Sequence, residues 1–391
     1  MTSGNFRPVR YSTARTIVCE PGAIRQLGKI CTTLSSDKVF LVTDPGILEA
    51  RLHEAALSSL SGAGISCSIF QDVQADPPED IVLNALIRAR AEKIDTVIGL
   101  GGGSSMDVAK LIAALCNSPQ ALSDAYGVVN LTGNRLPLVQ IPTTAGTGSE
   151  VTPISVITTG ATTKAAVVAP QLLPDVALLD PELTVGLPPH VTASTGIDAM
   201  VHAIEAFTSA IHKNPYSDML ATQALELMSA NIETAVHDGE NLDARTAMLF
   251  GSLLAGQAFA NAPVAAVHAL AYPLGGHFHI LHGLSNSLVL PHVLRFNYET
   301  SAHLYATLAR IIMQPTSSDG ASDDVVSESL ADYFEALVDR LMMPSKLRDL
   351  DVPRDSLPML ARDAMKQERL LINNPRELDE QDALRIYEAA Y

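Results

Sequence analysis

Short β-branched and apolar runs alternate with amphipathic stretches through the first half of the chain, the pattern of βαβ units that build a mainly parallel sheet. Lys38–Thr43 predicts a strand, Pro45–Ala63 a helix and Ser66–Phe70 a second strand. Pro78–Lys93 predicts a helix opened by Pro-Pro-Glu-Asp, Thr96–Leu100 a buried strand, and Ser104–Cys116 the next helix. Further strand-like runs follow at Leu136–Ile141, Val151–Thr158, Ala165–Ala169 and Val176–Leu179. After Pro188 and Pro189 apolar residues recur three and four apart over long spans, and the second half reads as all helical. The change of texture divides the chain into an α/β part, 1–187, and a helical part, 188–391.

Segments late in the helical part (Asp324–Leu341, Leu357–Arg369, Asp379–Tyr391) carry charged outer faces, and Thr316–Asp324 reads as a polar surface loop. From Thr246 to Leu294, by contrast, no Asp, Glu, Lys or Arg occurs. Pro263, Pro273, Pro291, Gly275, Gly276 and five histidines interrupt this run, which a lipid-facing helix of about 20 residues would not tolerate. It is expected to be buried interior, with charged helices packed around one central uncharged helix.

At about 150 residues per domain, 391 residues allow two to three domains. Apolar residues at 47% and charged residues at 18% predict ordinary globular structure. Lys plus Arg is 26 against 43 for Asp plus Glu, a net charge of -17, which argues against nucleic acid or an anionic membrane as partner. The four cysteines lie far apart without a CxxC, and Met1–Arg15 lacks the apolar core of a secretory signal, so a cytoplasmic setting is expected.

Two loops offer cradles for phosphate. Gly101, Gly102 and Gly103 stand between a predicted strand and a helix starting near Ser104, where backbone N–H groups and a helix N-terminus could approach a pyrophosphate. A plain glycine turn with Ser104 as N-cap explains the same residues. The loop after the next strand, Ile141-Pro-Thr143-Thr144-Ala145-Gly146-Thr147-Gly-Ser-Glu150, adds hydroxyls and free amides suited to phosphate or ribose, or to a polar turn. Asp44 ends the first predicted strand, where a carboxylate could hold an adenosine ribose and favour NAD over NADP. It also fits an N-cap ahead of Pro45.

Asp198 and His202 lie four apart, on one helical face inside an apolar stretch. Thr195-Gly-Ile-Asp198 also fits a capping box. The uncharged run adds His268, His277, His279, His282 and His292. Burying several imidazoles without charged partners is costly unless their lone pairs are used, and a divalent cation uses them. Asp198, His202 and two of the five would give one oxygen and three nitrogens, a set suited to Fe(II), Zn(II) or a similar ion with a position open to substrate.

Taken in order, Gly101-Gly-Gly-Ser-Ser-Met-Asp107-Val-Ala-Lys110, Pro142 to Glu150, Gly196-Ile-Asp198-Ala-Met-Val-His202, His268 to Gly283, and Asn374-Pro-Arg376 resemble the iron-dependent, or group III, alcohol dehydrogenase family along nearly the whole chain. The resemblance implies an N-terminal dinucleotide-binding α/β domain and an all-α C-terminal metal domain, a dehydroquinate synthase-like architecture, with a cleft between them. It implies Asp198, His202, His268 and His282 as metal ligands. It places the NAD pyrophosphate against Gly103, Ser104 and Thr143 to Thr147, puts Asp44 and Asp76 near the adenosine side, adds Asp107, Lys164 and Leu183 to the cofactor site, and sets Phe259 and Leu370 beside the substrate. Family members are often homo-oligomers. Many carry a histidine four residues after the third ligand that is thought to help relay a proton; here it is Tyr272, as in the hydroxyacid-oxoacid transhydrogenase kind. Tyr272 could pass a proton or pack against the nicotinamide. Leu281 replaces a proline common before the last ligand.

The activity so implied is reversible hydride transfer between NAD(H) and a carbonyl or alcohol whose oxygen the cation polarises. Because the ligand-bearing run contributes no Lys or Arg, a small alcohol, aldehyde or ketone is expected as substrate. A 2-hydroxyacid/oxoacid or maleylacetate-type reductase is the competing reading, with Arg369 holding a carboxylate. A metal-dependent hydrolase or lyase would leave both loops without a task, and a non-catalytic metal-binding protein would leave the cleft unused.

Overall fold

The computed structural model describes residues 9–160, 163–313 and 321–391. Its strands, in chain order, are β1 (Thr16–Cys19), β2 (Lys38–Val42), β3 (Ser66–Phe70), β4 (Thr96–Gly101), β5 (Gly127–Val128), β6 (Leu138–Pro142), β7 (Ile154–Thr159), β8 (Thr163–Val168) and β9 (Val176–Leu179). Six of them form one sheet in the order β1-β9-β6-β4-β2-β3, parallel at every pairing. Five helices accompany it: α1 (Leu27–Thr33), α2 (Pro45–Glu49), α3 (Glu54–Gly62), α4 (Glu79–Glu92) and α5 (Gly103–Leu115). The apolar faces of α1 and α3 cover one side and those of α4 and α5 the other, so every residue of β4 is buried. A parallel sheet covered on both faces needs such continuous apolar strands rather than alternation.

β2 and β4 are neighbours, yet the chain leaves β2 toward β3 on one side and continues from β4 toward β6 on the other. That reversal opens a crevice at the carboxyl ends of β2 and β4, the usual place for a nucleotide in an open α/β sheet. Asp44 and the three glycines emerge there.

The helical part follows as α6 (Pro189–Thr208), α7 (Pro215–His237), α8 (Leu242–Asn261), α9 (Ala266–Phe278), α10 (His282–Ile312), α11 (Asp323–Arg340), α12 (Leu357–Met365), α13 (Glu368–Leu371) and α14 (Glu380–Ala389). α6 packs against α7, α8 and α10, and the core they share also takes in Ala145, Val151 and Leu179 from the α/β part. Among the described residues no single helix is long and apolar enough to cross a membrane; α8 and α9 reach the composition only as a pair bent by 105°.

Several expectations are corrected. The segment Pro45–Ala63 is two helices, because Arg51 turns left-handed (φ 60°) and the Leu52 N–H closes on the Ile47 carbonyl, a C-terminal stop signal. The strand expected from Val151 begins at Ile154, and with β8 it forms an antiparallel hairpin in a second sheet ordered β5-β8-β7. β1 and β5 lie outside the strand-like runs of the sequence. Gly102, not Ser104, is the N-cap of α5. Thr195 and Asp198 lie well inside α6, where the Thr195 hydroxyl bonds back to the Val191 carbonyl, so no capping box exists there. The uncharged run is not one central helix: α8, α9 and the start of α10 share it, separated near Pro263 and by the left-handed His279. Leu357–Arg369 divides into α12 and α13. The polar loop expected at Thr316–Asp324 lies largely outside the described residues, with α11 starting at Asp323.

Candidate metal centre and cofactor groove

Four side chains converge from three helices. Asp198 and His202 project one turn apart from α6, His268 from α9, and His282 from the first position of α10. One ligand atom from each lies within 4.8 Å of all the others. Asp198 Oδ1 is 3.9 Å from Nε2 of His202, 3.9 Å from Nε2 of His268 and 3.5 Å from Nε2 of His282. A tetrahedral ion with bonds of about 2.1 Å spaces its donors about 3.4 Å apart, so shifts under about 1 Å would close this set on a first-row cation. The helices come this near because residue 283 is glycine: a Cβ there would lie 2.1 Å from the Ser194 carbonyl oxygen of α6.

Neighbouring groups fix which nitrogen of two of the rings faces inward. His202 Nδ1 is 3.2 Å from the Gly146 carbonyl, which can only accept, so Nδ1 carries the proton and Nε2 presents its lone pair. Gly146 sits so tightly on α6 that a Cβ would be 2.7 Å from Thr195 Cβ. His268 Nδ1 donates to Glu205 Oε2 at 2.6 Å, while Glu205 Oε1 accepts from the Val267 N–H at 2.7 Å. Phe259 stacks on the His202 ring at 4.3 Å. Burial drives His202 down to about 3 and His282 to about 4, so both rings are neutral and available as ligands near pH 7. Burial pushes the Asp198 carboxyl up, but the surrounding imidazoles and the Asn286 N–H outweigh it and hold the group below its ordinary range.

A cavity of about 260 Å³ opens above these residues. Its lining includes Asp198, His202, His268 and His282 together with Gly103, Ser104, Asp107, Thr147, Asp76, Lys164, Phe259, Tyr272, Arg369 and Leu370. The glycine turn and the second loop touch each other, since a Cβ on Gly103 would lie 2.9 Å from Thr147 Cγ2 and the Thr143 N–H bonds to the Gly101 carbonyl. Gly102 faces Thr144, Ala145 is buried against α6's core, and Leu183 is buried in the core on the α1 and α3 side of the sheet, not among the residues lining the cavity. Asp44 caps α2 through the Ile47 N–H and also accepts from Ser105 Oγ at 3.1 Å, directly beside Gly101. Asp76 stands apart from Asp44, on the cavity rim, paired with Lys164 at 2.6 Å. Asp107 is held by Ser149 Oγ (2.6 Å) and the Val156 N–H (2.7 Å). His277 pairs with Asp363 on the surface, while His279 and His292 are not among the residues lining the cavity.

Three supporting groups carried no role in the sequence reading. Glu205 is three residues beyond His202, on the same face, and a carboxylate inside an apolar helix was the available signal. Asn286 is one turn beyond His282, polar just before Leu288, Val289 and Leu290. Lys110 is wholly buried and bonds Ser149 Oγ, Thr152 Oγ1 and the Ile154 carbonyl; burial lowers it to about 8 against the pull of Asp107 and Glu150. It pins α5 to the end of the second loop and to the segment that follows.

The chain matches the family model of the iron-containing alcohol dehydrogenases over residues 14–181, and that of the Fe-containing alcohol dehydrogenase family C-terminal region over residues 192–391. It is 42% identical over 381 residues to long-chain-alcohol dehydrogenase 1 of Geobacillus thermodenitrificans, covering 95% of this chain and 93% of that one. The crystal structure of a 1,3-propanediol oxidoreductase superimposes with a TM-score of 0.95 at 36% identity, covering 98% of this chain and 100% of that chain. Sulfoacetaldehyde reductase from Bifidobacterium kashiwanohense, solved in complex with NAD+, gives 0.88 at 30% identity, covering 98% and 99%. The motifs, the converging carboxylate and imidazoles, and these likenesses agree: the chain belongs to the iron-containing alcohol dehydrogenase family.

Proposed function

We propose that the protein interconverts a small alcohol and its aldehyde or ketone, using NAD(H) and a divalent iron held by Asp198, His202, His268 and His282. The observation that carries this reading is that one cavity has the four ligands on its floor and the two phosphate-cradling loops on its wall. Residues 1–187 are the cofactor-carrying part and 188–391 the metal-carrying part. When bound, the ion would supply Lewis acidity and the nicotinamide the hydride chemistry.

The chain's own contribution is alignment and dryness. Asp198 and the three Nε2 lone pairs bind the ion, Glu205 and the Gly146 carbonyl hold two of the rings, and Phe259 and Leu370 exclude water beside them. N–H groups at Gly103, Ser104 and the Thr143–Thr147 loop, apart from that of Thr143, which is taken by the Gly101 carbonyl, hold the pyrophosphate, with Asp44 at the adenosine ribose. Asp107 and Lys164 frame the remainder, and Asp76 keeps Lys164 in place. Burial raises the Tyr272 hydroxyl above its ordinary range, so it stays protonated, but among the described residues it has no hydrogen-bond partner to carry a proton onward. Packing against the nicotinamide is therefore the role we assign to it.

The apolar lining from Phe259, Val264 and Leu370 suits a neutral alcohol or aldehyde better than a dianion. A 2-oxoacid substrate would call on Arg369, whose guanidinium has no carboxylate partner among the described residues. Arg369→Ala should leave propanal reduction within about threefold, whereas an oxoacid enzyme would lose about 100-fold on its substrate. A cytoplasmic homo-oligomer completes the proposal, supported by four free cysteines and by family habit. The chain holds no Trp, so NADH binding is read directly from nicotinamide emission. His268→Ala and His282→Ala should lose metal and turnover together while still binding NADH; full turnover by metal-stripped protein would overturn the proposal.

A further inference from the structure

The polar side chain most confined by the candidate metal centre, yet given no part in the mechanism above, is the carboxamide of Asn286. It is wholly buried, one helical turn beyond His282 on α10. Its Nδ2 lies 2.6 Å from Asp198 Oδ1 and 3.4 Å from Nε2 of both His268 and His282. Its Oδ1 is buried without a partner. Three acceptors thus converge on one amide nitrogen, a partly positive group standing beside the point where the ligand lone pairs meet. Turning the amide over would press a carbonyl oxygen against a carboxylate, so the orphaned oxygen is the consequence of keeping the N–H groups inward.

Apolar packing alone does not account for this residue. A leucine has nearly the same volume and fits the apolar sequence that follows, but it lacks the N–H that the buried Asp198 Oδ1 accepts. Resting on the metal reading above, we propose that Asn286 is a positioning residue for the ion: it clamps the Asp198 carboxylate and keeps the ligands converged before the ion arrives. The contact to Asp198 is short and charge-assisted, and Oδ1 has a second lone pair for the ion, so this bond persists on loading. The contacts to the two imidazoles are long and weak, so little is lost when the ion takes those lone pairs. Removing the clamp therefore weakens binding rather than relieving a competitor.

Co(II) binding to the full-length protein tests this, by chelator competition, by the d–d absorption of the loaded site, and by melting with and without the ion. Asn286→Leu is expected to bind Co(II) about 10- to 100-fold more weakly, with altered d–d bands. Asn286→Asp, of the same shape but with an added negative charge, should show a larger metal-induced rise in Tm than wild type. Should the leucine variant fold poorly, Asn286→Ser keeps the measurement available with the same expected weakening. Wild-type Co(II) affinity and spectrum in the leucine or serine variant would overturn the proposal. Wild-type protein that takes up no Co(II) would instead overturn the metal reading beneath it.

Discussion

Replacing Glu205 by Gln should detach the metal without disturbing the fold, for a reason that lies in proton placement. The carboxylate accepts twice, from His268 Nδ1–H at 2.6 Å and from the Val267 N–H at 2.7 Å. A Gln side chain of the same shape has one acceptor and one donor. If its oxygen keeps Val267, its NH₂ faces His268 Nδ1, which can accept only by moving the ring proton to Nε2. That proton then occupies the lone pair meant for the ion. If the ring keeps its proton on Nδ1, two N–H groups oppose each other in a buried place. Losing one charge-assisted bond costs about 1.5–3 kcal/mol, which corresponds to roughly 10- to 100-fold in metal affinity. Chelator competition with Zn(II) at pH 7.5 measures it, with circular dichroism to show that the helices persist. Affinity within threefold of wild type would refute the argument that Glu205 sets the His268 tautomer.

Burial lowers His202 to about 3 from 6.5, against the pull of Asp198, so as pH falls the unfolded chain takes up the proton first. The stability present above pH 6.5 is then lost, by about 2 kcal/mol at pH 5 and more toward pH 3. Urea titrations of metal-free protein at pH 7.5 and 5.0 should show this loss, and His202→Asn should reduce it; an identical pH response in the variant contradicts the assignment. Gly283→Ala must move α10 off Ser194, so we expect a loss of about 1–3 kcal/mol by chemical denaturation together with weaker metal retention, and unchanged metal affinity would show that the helix spacing does not set the site. Tyr272→Phe should keep kcat within about threefold in steady-state assays, since its hydroxyl has no onward partner, whereas a loss of about 100-fold or more would restore the proton relay.

Much of this site was legible in the sequence because its elements are periodic. Asp198 and His202 are four apart on a helix, and β-branched runs of five or six residues marked most strands of the large sheet. The glycine triplet stood where a strand meets a helix, and the structure puts it at the sheet's crevice. What periodicity could not convey were contacts between distant segments. Nothing local chooses His268 and His282 over His277, His279 and His292; the resemblance chose them, and geometry separates them through Gly283's fit against Ser194. The Gly146 carbonyl is backbone, invisible in composition, and Glu205 and Asn286 owe their importance to partners about 60 to 90 residues away. The breaks between α2 and α3 and between α9 and α10 depend on left-handed Arg51 and His279, residue types that do not announce such a turn.

The most direct test of the account is an anomalous difference map at the iron edge from crystals grown without air in the presence of NAD+. One strong peak is expected about 2.0–2.2 Å from Asp198 and from Nε2 of His202, His268 and His282, with the nicotinamide ring lying in the same cavity. A map with no peak among these four residues, or with the nicotinamide bound away from that cavity, would contradict it.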